Sequence, residues 1–340
     1  MKILELTPDI TSRWNAFVEQ AADGTFFHLA EWSEIIASSF GHSTHFLYSE
    51  EEGQITGVLP LVHVKSRLFG NSLISTPFCV YGGIVAANAI ASSALQSAAS
   101  GLADKLGVDY LELRNRAPAE SDWPTKDLYV TFRKEIDPDP EKNMLNIPRK
   151  QRAMVRKGMK AELVCAIDED IERFYDIYSR SVHGLGTPVF AKHYFKRLKA
   201  TFGSRCEILV IEKDGSPISA VMSFYFRDEV LPYYGGGTDA ARNLKAYDFM
   251  YWDVMRRAAE AGVTVFDYGR SKVDTGSYRF KKHWGFEPEP LHYAYYLVKA
   301  KEMPNLSPAN PKYRLFIEGW KRLPLPVTRL LGPVLAKNLG

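Results

Sequence analysis

The stretch Tyr233-Tyr-Gly-Gly-Gly-Thr-Asp239 and the sequence after it, as far as Phe286, decide the fold. The glycine cluster predicts the end of a strand, and the apolar spacing from Lys245 to Ala261 predicts an amphipathic helix. Val263–Ser271 predicts a second strand that ends in polar groups, and a basic, aromatic loop follows it. Strand ends of this kind, with a helix between the strands, are where open α/β sheets bind ligands.

The same order of patterns occurs once before in the chain, at a nearly constant separation. Chance matches would not keep this register, so the sequence predicts a duplicated domain. The predicted domains are residues 1–144 and 145–300, divided where Pro138 and Pro140 interrupt regular structure, and 301–340 is predicted to pack back on the first domain. The matched segments are Phe40-Gly41 with Phe202-Gly203, Tyr81-Gly82-Gly83 with Tyr234-Gly235-Gly236, and Gly107-Val108 with Gly262-Val263.

Composition excludes several classes of protein. Lys and Arg number 43 and Asp and Glu 40, a net charge of +3, which gives no argument for a DNA-binding protein. The three cysteines are isolated, which favours a reduced cytoplasmic protein without a metal site, and the acids near Met1 do not suit a signal peptide. Residues 68–103 carry no charge, but their polar residues favour a buried strand and a small-residue helix over a membrane span.

The two copies differ in where they carry polar residues. The first has apolar side chains such as Ile84, Val85 and Leu113 at its strand ends, whereas the second has Asp239 and Asp267. We therefore expect the chemistry to lie in the second copy, with the first copy forming one wall of a cleft.

A row of cations opens the second copy. Arg149, Arg152, Arg156 and Lys160 follow helical spacing, so they lie on one face of a predicted helix without a compensating acid. A charge run of this kind is most often a solvated surface. Alternatively, the row is a clamp for phosphates, because guanidinium groups match phosphate oxygens in pairs.

The glycines after Tyr234 have two interpretations. Gly235 and Gly236 could form a tight turn whose N–H groups bind an anion, or they could let the strand bulge and open for a substrate. The spacing is not that of a dinucleotide or nucleoside triphosphate loop. The start of the next helix, near Lys245, offers N–H groups to a phosphate or thioester.

Polar residues also follow the second strand of this unit. Asp267 is a candidate general base for an attacking amine, or it pairs with Arg270 to hold the loop in place. Ser271, Tyr278 and Lys281 then extend a polar surface that suits phosphate, sugar or nucleotide groups.

These segments together resemble the FemAB family of transferases. The residues that carry the resemblance are Pro148-Arg149, Arg152, Arg156-Lys157, Lys160, Tyr234-Gly-Gly-Gly237, Asp267-Tyr-Gly-Arg-Ser271, Phe280-Lys281 and Gly285-Phe286. The resemblance covers about residues 1–300. The sequence is similar to the FemAB-like branch associated with exosortase (PEP-CTERM) and exopolysaccharide loci. It implies an α/β (α+β) fold of two tandem GNAT-like (N-acetyltransferase-type) domains, each a mixed, twisted sheet with flanking helices.

The resemblance also implies the chemistry. Members of this family transfer an acyl group to an amine of a cell-envelope precursor, from aminoacyl-tRNA or from an acyl-CoA. The segment Arg242 to Tyr247 aligns with the GNAT loop that cradles the CoA pyrophosphate. Lys245 and Tyr247 stand where that loop has small residues, which would obstruct the approach of the pyrophosphate, whereas Arg242 and Lys245 could hold phosphate by their charge.

The predicted function is therefore transfer of an aminoacyl or acyl group to a peptidoglycan-type peptide or an exopolysaccharide. Asp267 is the predicted base, and the hydroxyl of Tyr234 is a predicted donor to the oxyanion. No tightly bound cofactor and no metal are expected, and the acyl donor is left open. The alternatives are an acetyl-CoA-dependent N-acetyltransferase of an exopolysaccharide sugar and a non-catalytic scaffold. We expect a cytoplasmic protein, with peripheral contact to the inner membrane through its apolar tail as a further option.

Overall fold

The computed structural model describes residues 1–66, 69–118, 122–304 and 311–339, without the side chains of 311–314. The strands are β1 (Lys2–Glu5), β2 (Ser43–Glu51), β3 (Gln54–Ser66), β4 (Gly70–Ser75), β5 (Val85–Ala86), β6 (Tyr110–Asn115), β7 (Thr125–Lys126), β8 (Tyr129–Glu135), β9 (Val164–Asp168), β10 (Cys206–Lys213), β11 (Ser216–Phe226), β12 (Glu229–Gly237), β13 (Val265–Asp267), β14 (Ser271–Lys272), β15 (Pro288–Pro290) and β16 (His292–Leu297). The helices are α1 (Thr11–Gln20), α2 (Glu31–Phe40), α3 (Ala89–Leu106), α4 (Pro140–Asn146), α5 (Arg149–Met159), α6 (Glu172–Leu185), α7 (Lys192–Phe202), α8 (Asp239–Asn243), α9 (Ala246–Glu260), α10 (Gly276–His283), α11 (Pro311–Arg322) and α12 (Leu325–Ala336).

The first compact unit is built on a sheet with strand order β1-β2-β3-β4-β6-β16-β7, and β5 pairs with β3. Strands β1 to β4 form successive antiparallel pairs, whereas β4 and β6 are parallel over Ser72–Ile74 and Tyr110–Glu112. Helix α3 makes the crossover between these two strands and buries mainly small side chains, among them Ala99 and Ala103. This crossover explains the uncharged stretch: the part of it that the structure describes, from residue 69, is a strand, an irregular segment and a buried helix face.

The second compact unit repeats this arrangement in a sheet with strand order β14-β8-β13-β12-β11-β10-β9, and β15 pairs with β8. Here β10, β11 and β12 are antiparallel, and β12 and β13 are parallel over only two pairs, Glu229 with Val265 and Val230 with Phe266. Helix α9 makes the crossover, close to its predicted bounds. Both units therefore share an antiparallel meander, a helical crossover and a parallel strand, as the predicted duplication requires.

Each sheet contains one strand from the other half of the chain. β8 comes from the first half but pairs with β13, and β16 comes from the second half but pairs with β6. The compact units are consequently Met1–Leu128 with Pro290–Leu306 and Leu335–Gly340, and Tyr129–Glu289 with Ser307–Val334. This division differs from the predicted domains 1–144 and 145–300, because a strand's local pattern identifies it as a strand without identifying its sheet.

The C-terminal helices differ from their prediction too. The tail was expected on the first domain, but α11 and most of α12 belong to the second unit, where they lie on α6. His183 Nε2 lies 3.0 Å from the Leu323 carbonyl oxygen, and Arg329 Nε donates to Ser179 Oγ at 2.9 Å. Residues 305–310 of the predicted tail lie outside the described residues. Within the described part of the chain, we find no helix that is long and apolar enough to cross a membrane.

The helices of the second unit lie on opposite faces of its sheet. A Cβ placed on Gly236 of β12 would meet Ser181 of α6, whereas one placed on Gly235 or Gly237 would meet Tyr251 or Tyr247 of α9. Successive residues of a strand face opposite sides, so α6 covers one face and α9 the other. Helices α4 and α5 pack against α9, on the face away from the C-terminal helices.

Candidate functional site

The predicted cationic row lies along the exposed face of α5. Its inward face is fixed against α9, since Val155 is buried and a Cβ on Gly158 would lie 2.7 Å from Cβ of Phe249. The outward side chains line an open groove of about 410 Å³. Among the described residues, none of its cations has a carboxylate within ion-pair distance. The groove is lined by Arg149, Arg152, Ala153, Arg156, Lys157 and Lys160.

The short segment before α9 holds the residues that align with the pyrophosphate cradle. Arg242 ends α8 in the solvent, and Lys245 has a φ of +61°, a left-handed conformation that glycine adopts far more easily. The first turn of α9 has no side-chain cap. The Tyr247 hydroxyl donates to the Gly237 carbonyl oxygen at 3.1 Å, so its ring packs on the sheet in the space that Gly237 leaves. Lys245 thus has a backbone conformation that is typical of glycine.

A buried acid that the sequence analysis missed lies in the same turn. Asp248 accepts a hydrogen bond from the side-chain amide of Gln151, which joins α5 to the start of α9. Burial raises the pKa of this carboxyl to about 6, although the nearby charge of Lys245 and the Gln151 hydrogen bond act to lower it. The spacing of apolar residues in α9 does not identify Asp248, and its burial distinguishes it from an ordinary surface acid.

The glycine cluster is part of a strand and not a turn. Gly235 and Gly236 pair with Val221 and Ala220 of β11, and the strand's irregularity falls just before them, at Tyr233. The space above them is occupied, because Cβ atoms there would lie 2.8 Å from the Tyr251 hydroxyl and 2.7 Å from Ser181 Cβ. The prediction of an anion-binding turn is therefore wrong. These glycines instead allow two helices to approach the strand closely.

Tyr234, the predicted oxyanion donor, is buried in an aromatic cluster. Its hydroxyl lies 2.9 Å from that of Tyr194, and the rings of Tyr178, Phe195 and Tyr233 pack edge-on against its ring. The hydroxyl thus faces a protein partner, and a substrate could reach it only after this cluster opened.

Asp267 is fully buried at the end of β13. It accepts a hydrogen bond from the Gly269 N–H at 2.7 Å, and Arg133 Nε lies 3.5 Å from its second oxygen. These contacts are those of the structural alternative for Asp267, with Arg133 as an ion-pair partner. Arg270 stacks on the Tyr129 ring, 4.5 Å from the ring centre, and Ser271 is buried beside β8.

Lys281 lies in a helix, α10, where a loop had been predicted. The helix begins at Thr275, whose hydroxyl accepts from the Tyr278 N–H. The Lys281 ammonium is buried and donates to the carbonyl oxygens of Gly269 and Arg270, at 2.9 and 3.1 Å. Burial lowers the pKa of this amine to about 7, although the carboxylate of Asp267 acts to raise it. Lys281 and Asp267 are therefore both buried, and both bind the backbone of the segment at residues 269 and 270.

The first unit contains a pocket that the sequence analysis did not predict. It has a volume of about 330 Å³ and lies at the carboxyl end of β6, beside β5 and the start of α3. Asn115 accepts from the Ile84 N–H at 3.3 Å, while its buried amide nitrogen has no partner among the described residues. The polar residues at its wall include Asp23, Thr25, His28, Asn88, Arg114, Asn115 and Arg116.

The walls of this pocket are held firmly. Arg114 is buried, with its Nε donating to Glu112 at 2.7 Å and an amino group donating to the Cys79 carbonyl oxygen at 2.6 Å. His28 Nδ1 accepts from the Thr25 N–H, so its Nε2 donates to the Gly83 carbonyl oxygen at 3.0 Å. The available signal in the sequence was the polar run Arg114-Asn115-Arg116 at the end of the predicted strand Val108–Arg114.

Part of the chain matches a known protein family. Residues 142–282 match the family described as an acetyltransferase (GNAT) domain. This segment contains the cationic row, the cradle, Asp267 and Lys281. The comparison with curated proteins finds no match.

Three solved structures resemble the whole chain. FemX has a TM-score of 0.69 at 15% identity, covering 93% of this chain and 100% of its own. A tandem GNAT protein from the clavulanic acid biosynthesis pathway has a TM-score of 0.57 at 12% identity, covering 88% and 99%. The C-terminal domain of a protein from Agrobacterium fabrum described as a lysylphosphatidylglycerol synthetase has a TM-score of 0.57 at 13% identity, covering 84% and 91%. The predicted fold of two tandem GNAT-like domains is confirmed.

Proposed function

We propose that this chain is an acyltransferase of the FemAB type, which transfers an aminoacyl or acyl group to an amine of a cell-envelope precursor in the cytoplasm. The observation that carries the proposal is that the GNAT-matching segment begins with a row of cations without acidic partners. Two of the similar structures, FemX and the lysylphosphatidylglycerol synthetase domain, agree with an envelope acceptor.

The length of the cationic row favours a polynucleotide as the donor's carrier. From Arg149 to Lys160 a helix rises about 16 Å, at about 1.5 Å per residue. A row of this length suits several successive phosphates along a strand of RNA better than the single pyrophosphate of CoA. Arginine forks bind phosphate oxygens in pairs, and the lack of carboxylate partners leaves their full charge available. Aminoacyl-tRNA is thus the preferred donor.

The pocket of the first unit is the proposed site for the acceptor's anionic portion. Arg116 supplies a cation, Asn115 supplies an unsatisfied amide N–H, and the first turn of α3 adds backbone donors. An anionic group would satisfy all of these donors together. A neutral sugar would satisfy the amide but would leave the arginine's charge unused.

In the reaction, the lone pair of the neutral amine attacks the carbonyl carbon of the ester. The carbon–nitrogen bond forms, the ester carbon–oxygen bond breaks, and the tRNA terminal hydroxyl leaves with a proton. That proton is the one that the amine nitrogen loses, and a base carries it from the nitrogen to the leaving oxygen. Lys281 is the better candidate for this base than Asp267, because its pKa of about 7 leaves much of it neutral near neutral pH. It would need to leave its two carbonyl partners to accept that proton.

The test supplies purified protein with an envelope extract and either labelled aminoacyl-tRNA or labelled acyl-CoA. Transfer of label from tRNA to a precursor amine is the expected result. A second candidate, an acetyl-CoA-dependent N-acetyltransferase of a sugar, is favoured by the glycine-like conformation at Lys245 and the uncapped start of α9. Label moving only from acyl-CoA would select that candidate. No transfer from either donor would contradict both and leave a scaffold role.

The cationic row has a control within its own region. Arg152→Ala with Arg156→Ala removes two charges from the row, and Lys142→Ala with Lys150→Ala removes two nearby charges that do not line the groove. The first pair should weaken tRNA binding about tenfold or more and reduce the salt dependence by about two phosphate contacts. The control pair should leave both nearly unchanged. Equal effects of the two pairs would mean that general charge, and not the row, binds the donor.

A further inference from the structure

Helix α12 carries its large side chains on the outside. Its buried positions are Thr328, Gly332 and Ala336, which recur every four residues and are all small. A Cβ on Gly332 would lie 2.9 Å from the Val189 carbonyl oxygen, so the helix backbone lies almost directly on its neighbour. The helix cannot rotate to bury larger groups there without losing this contact.

The outward face of α12 is consequently an exposed aliphatic stripe. Leu330 is 75% exposed and Leu331 is 44% exposed, and Val327 lies one turn before them on the same face. The preceding helix, α11, contributes Leu315, which is 73% exposed. Exposed apolar residues scattered singly need no explanation, but Val327, Leu330 and Leu331 together on one face of α12 mark an interaction surface.

Positive charge accompanies this stripe. From residue 311 to 339 the sequence has six Lys or Arg residues and one acid, Glu318. Arg322 is exposed two turns after Leu315, on the same face of α11. Arg329, by contrast, turns inward to Ser179 and Asp176 of α6, which fixes α12 in its orientation. Apolar side chains with cations beside them fit a surface that is apolar below and anionic above.

We propose that α11 and α12 form a docking surface for an anionic lipid bilayer, with Leu330 and Leu331 inserted at the level of the acyl chains and Arg322 at the phosphates. A second protein surface would fit the aliphatic stripe but would leave the excess of cations without a role. The bilayer engages both. The contact is peripheral, because α12 is only twelve residues long.

The fold keeps this surface apart from the cationic row. The C-terminal helices lie on α6, whereas α5 lies on α9, on the opposite face of the same sheet. Docking through α12 would therefore leave the α5 groove exposed to the solvent. The surface also does not depend on the proposed function, since it uses no residue of the groove or of the pocket.

The experiment is flotation of the full chain with vesicles of phosphatidylglycerol and phosphatidylcholine, compared with vesicles of phosphatidylcholine alone. Wild-type protein should float with the anionic vesicles, less so at high salt, and not with the neutral ones. Leu330→Glu with Leu331→Glu should lower the bound fraction about tenfold or more. Both residues are exposed, so this variant should keep the wild-type melting temperature.

A matched control uses another exposed leucine. Leu145 of α4 is 59% exposed and lies on the α9 face, so Leu145→Glu should float like wild type. Failure of the wild type to float with anionic vesicles would overturn the proposal, as would equal flotation of the α12 variant. Gel filtration gives a further contrary outcome: a wild-type dimer that Leu330→Glu with Leu331→Glu converts to a monomer would make the stripe a self-association surface.

Discussion

The carboxyl ends of the two parallel strand pairs differ in what fills them. In the first unit, β4 and β6 are paired over three residues on each strand, and a pocket lies at the carboxyl end of β6 beside the start of α3. In the second, β12 and β13 are paired over two residues, and the Tyr251 hydroxyl lies against Gly235 of β12 while its ring packs on that of Tyr268, directly after β13, at 5.1 Å. The same fold thus gives an open polar pocket in one copy and a packed aromatic wedge in the other.

This difference suggests a division of tasks between the copies. In the second unit, aromatic side chains fill the corresponding strand edge. This unit also contains α5, whose cations have no counterpart in the first unit's described helices. The first unit has kept the edge open and lined it with Asn115 and Arg116. Polar residues concentrated in a sequence are therefore a poor guide to the open site, because in the second copy Asp267 and Lys281 are both buried.

The largest expected change in the free energy of unfolding concerns Gly83 and Gly236, which occupy matched positions in the two copies. A Cβ on Gly83 would lie 2.0 Å from the side-chain oxygen and 2.8 Å from the Cα of Asn115. A Cβ on Gly236 would meet Ser181 Cβ at 2.7 Å. We expect Gly83→Ala to lower the free energy of unfolding by about 3 kcal/mol, and Gly236→Ala by about 1 kcal/mol. Denaturant unfolding measures both, and a larger cost at Gly236 would contradict the closer packing at the pocket.

The division of tasks itself predicts a second, smaller effect. Arg116→Ala should raise the KM for the acceptor about tenfold and leave donor binding unchanged, because a charged hydrogen bond contributes about 1.5–3 kcal/mol. Arg152→Ala with Arg156→Ala should weaken donor binding and leave the KM for the acceptor unchanged. Steady-state kinetics with each substrate varied separately measures this. If both variants changed the same substrate's KM, the two units would not hold different substrates.

The sequence could predict the repeated elements but not their assembly. The strand ending at Gly237 and the helix near Lys245–Ala261 follow from local spacing, and the structure has both. The exchange of β8 and β16 does not follow, since both strands have equivalent patterns and either sheet could accept them. Nor does the burial of Lys281, because lysine side chains are almost never fully buried unless they are paired. The Thr275 hydroxyl that begins α10 was a visible sign of a helix in that place.

The buried ammonium of Lys281 in the second unit predicts a pH dependence of stability. The pKa of Lys281 is about 7 in the folded chain, below its ordinary value of 10.5, so between these values the unfolded chain binds more protons. The stability of the wild type, relative to Lys281→Met, should therefore rise from about pH 7 to about pH 10, by at most about 1.4 kcal/mol per pH unit. Denaturant unfolding across this range tests it, and a difference independent of pH would mean that Lys281 stays charged.

The smallest expected effect concerns Tyr234, in the aromatic cluster that β12 forms with α6 and α7. Its hydroxyl bonds to that of Tyr194, so Tyr234→Phe should cost about 1 kcal/mol of unfolding free energy, and Tyr194→Phe should cost a similar amount, because each removes the same buried hydrogen bond. If this bond is only structural, the two variants should also have the same kcat, close to that of the wild type. An oxyanion donor would behave differently, since its loss costs about a hundredfold or more in kcat. A kcat that falls this far in Tyr234→Phe, but not in Tyr194→Phe, would show that the cluster opens during turnover and that the packed copy takes part in the chemistry.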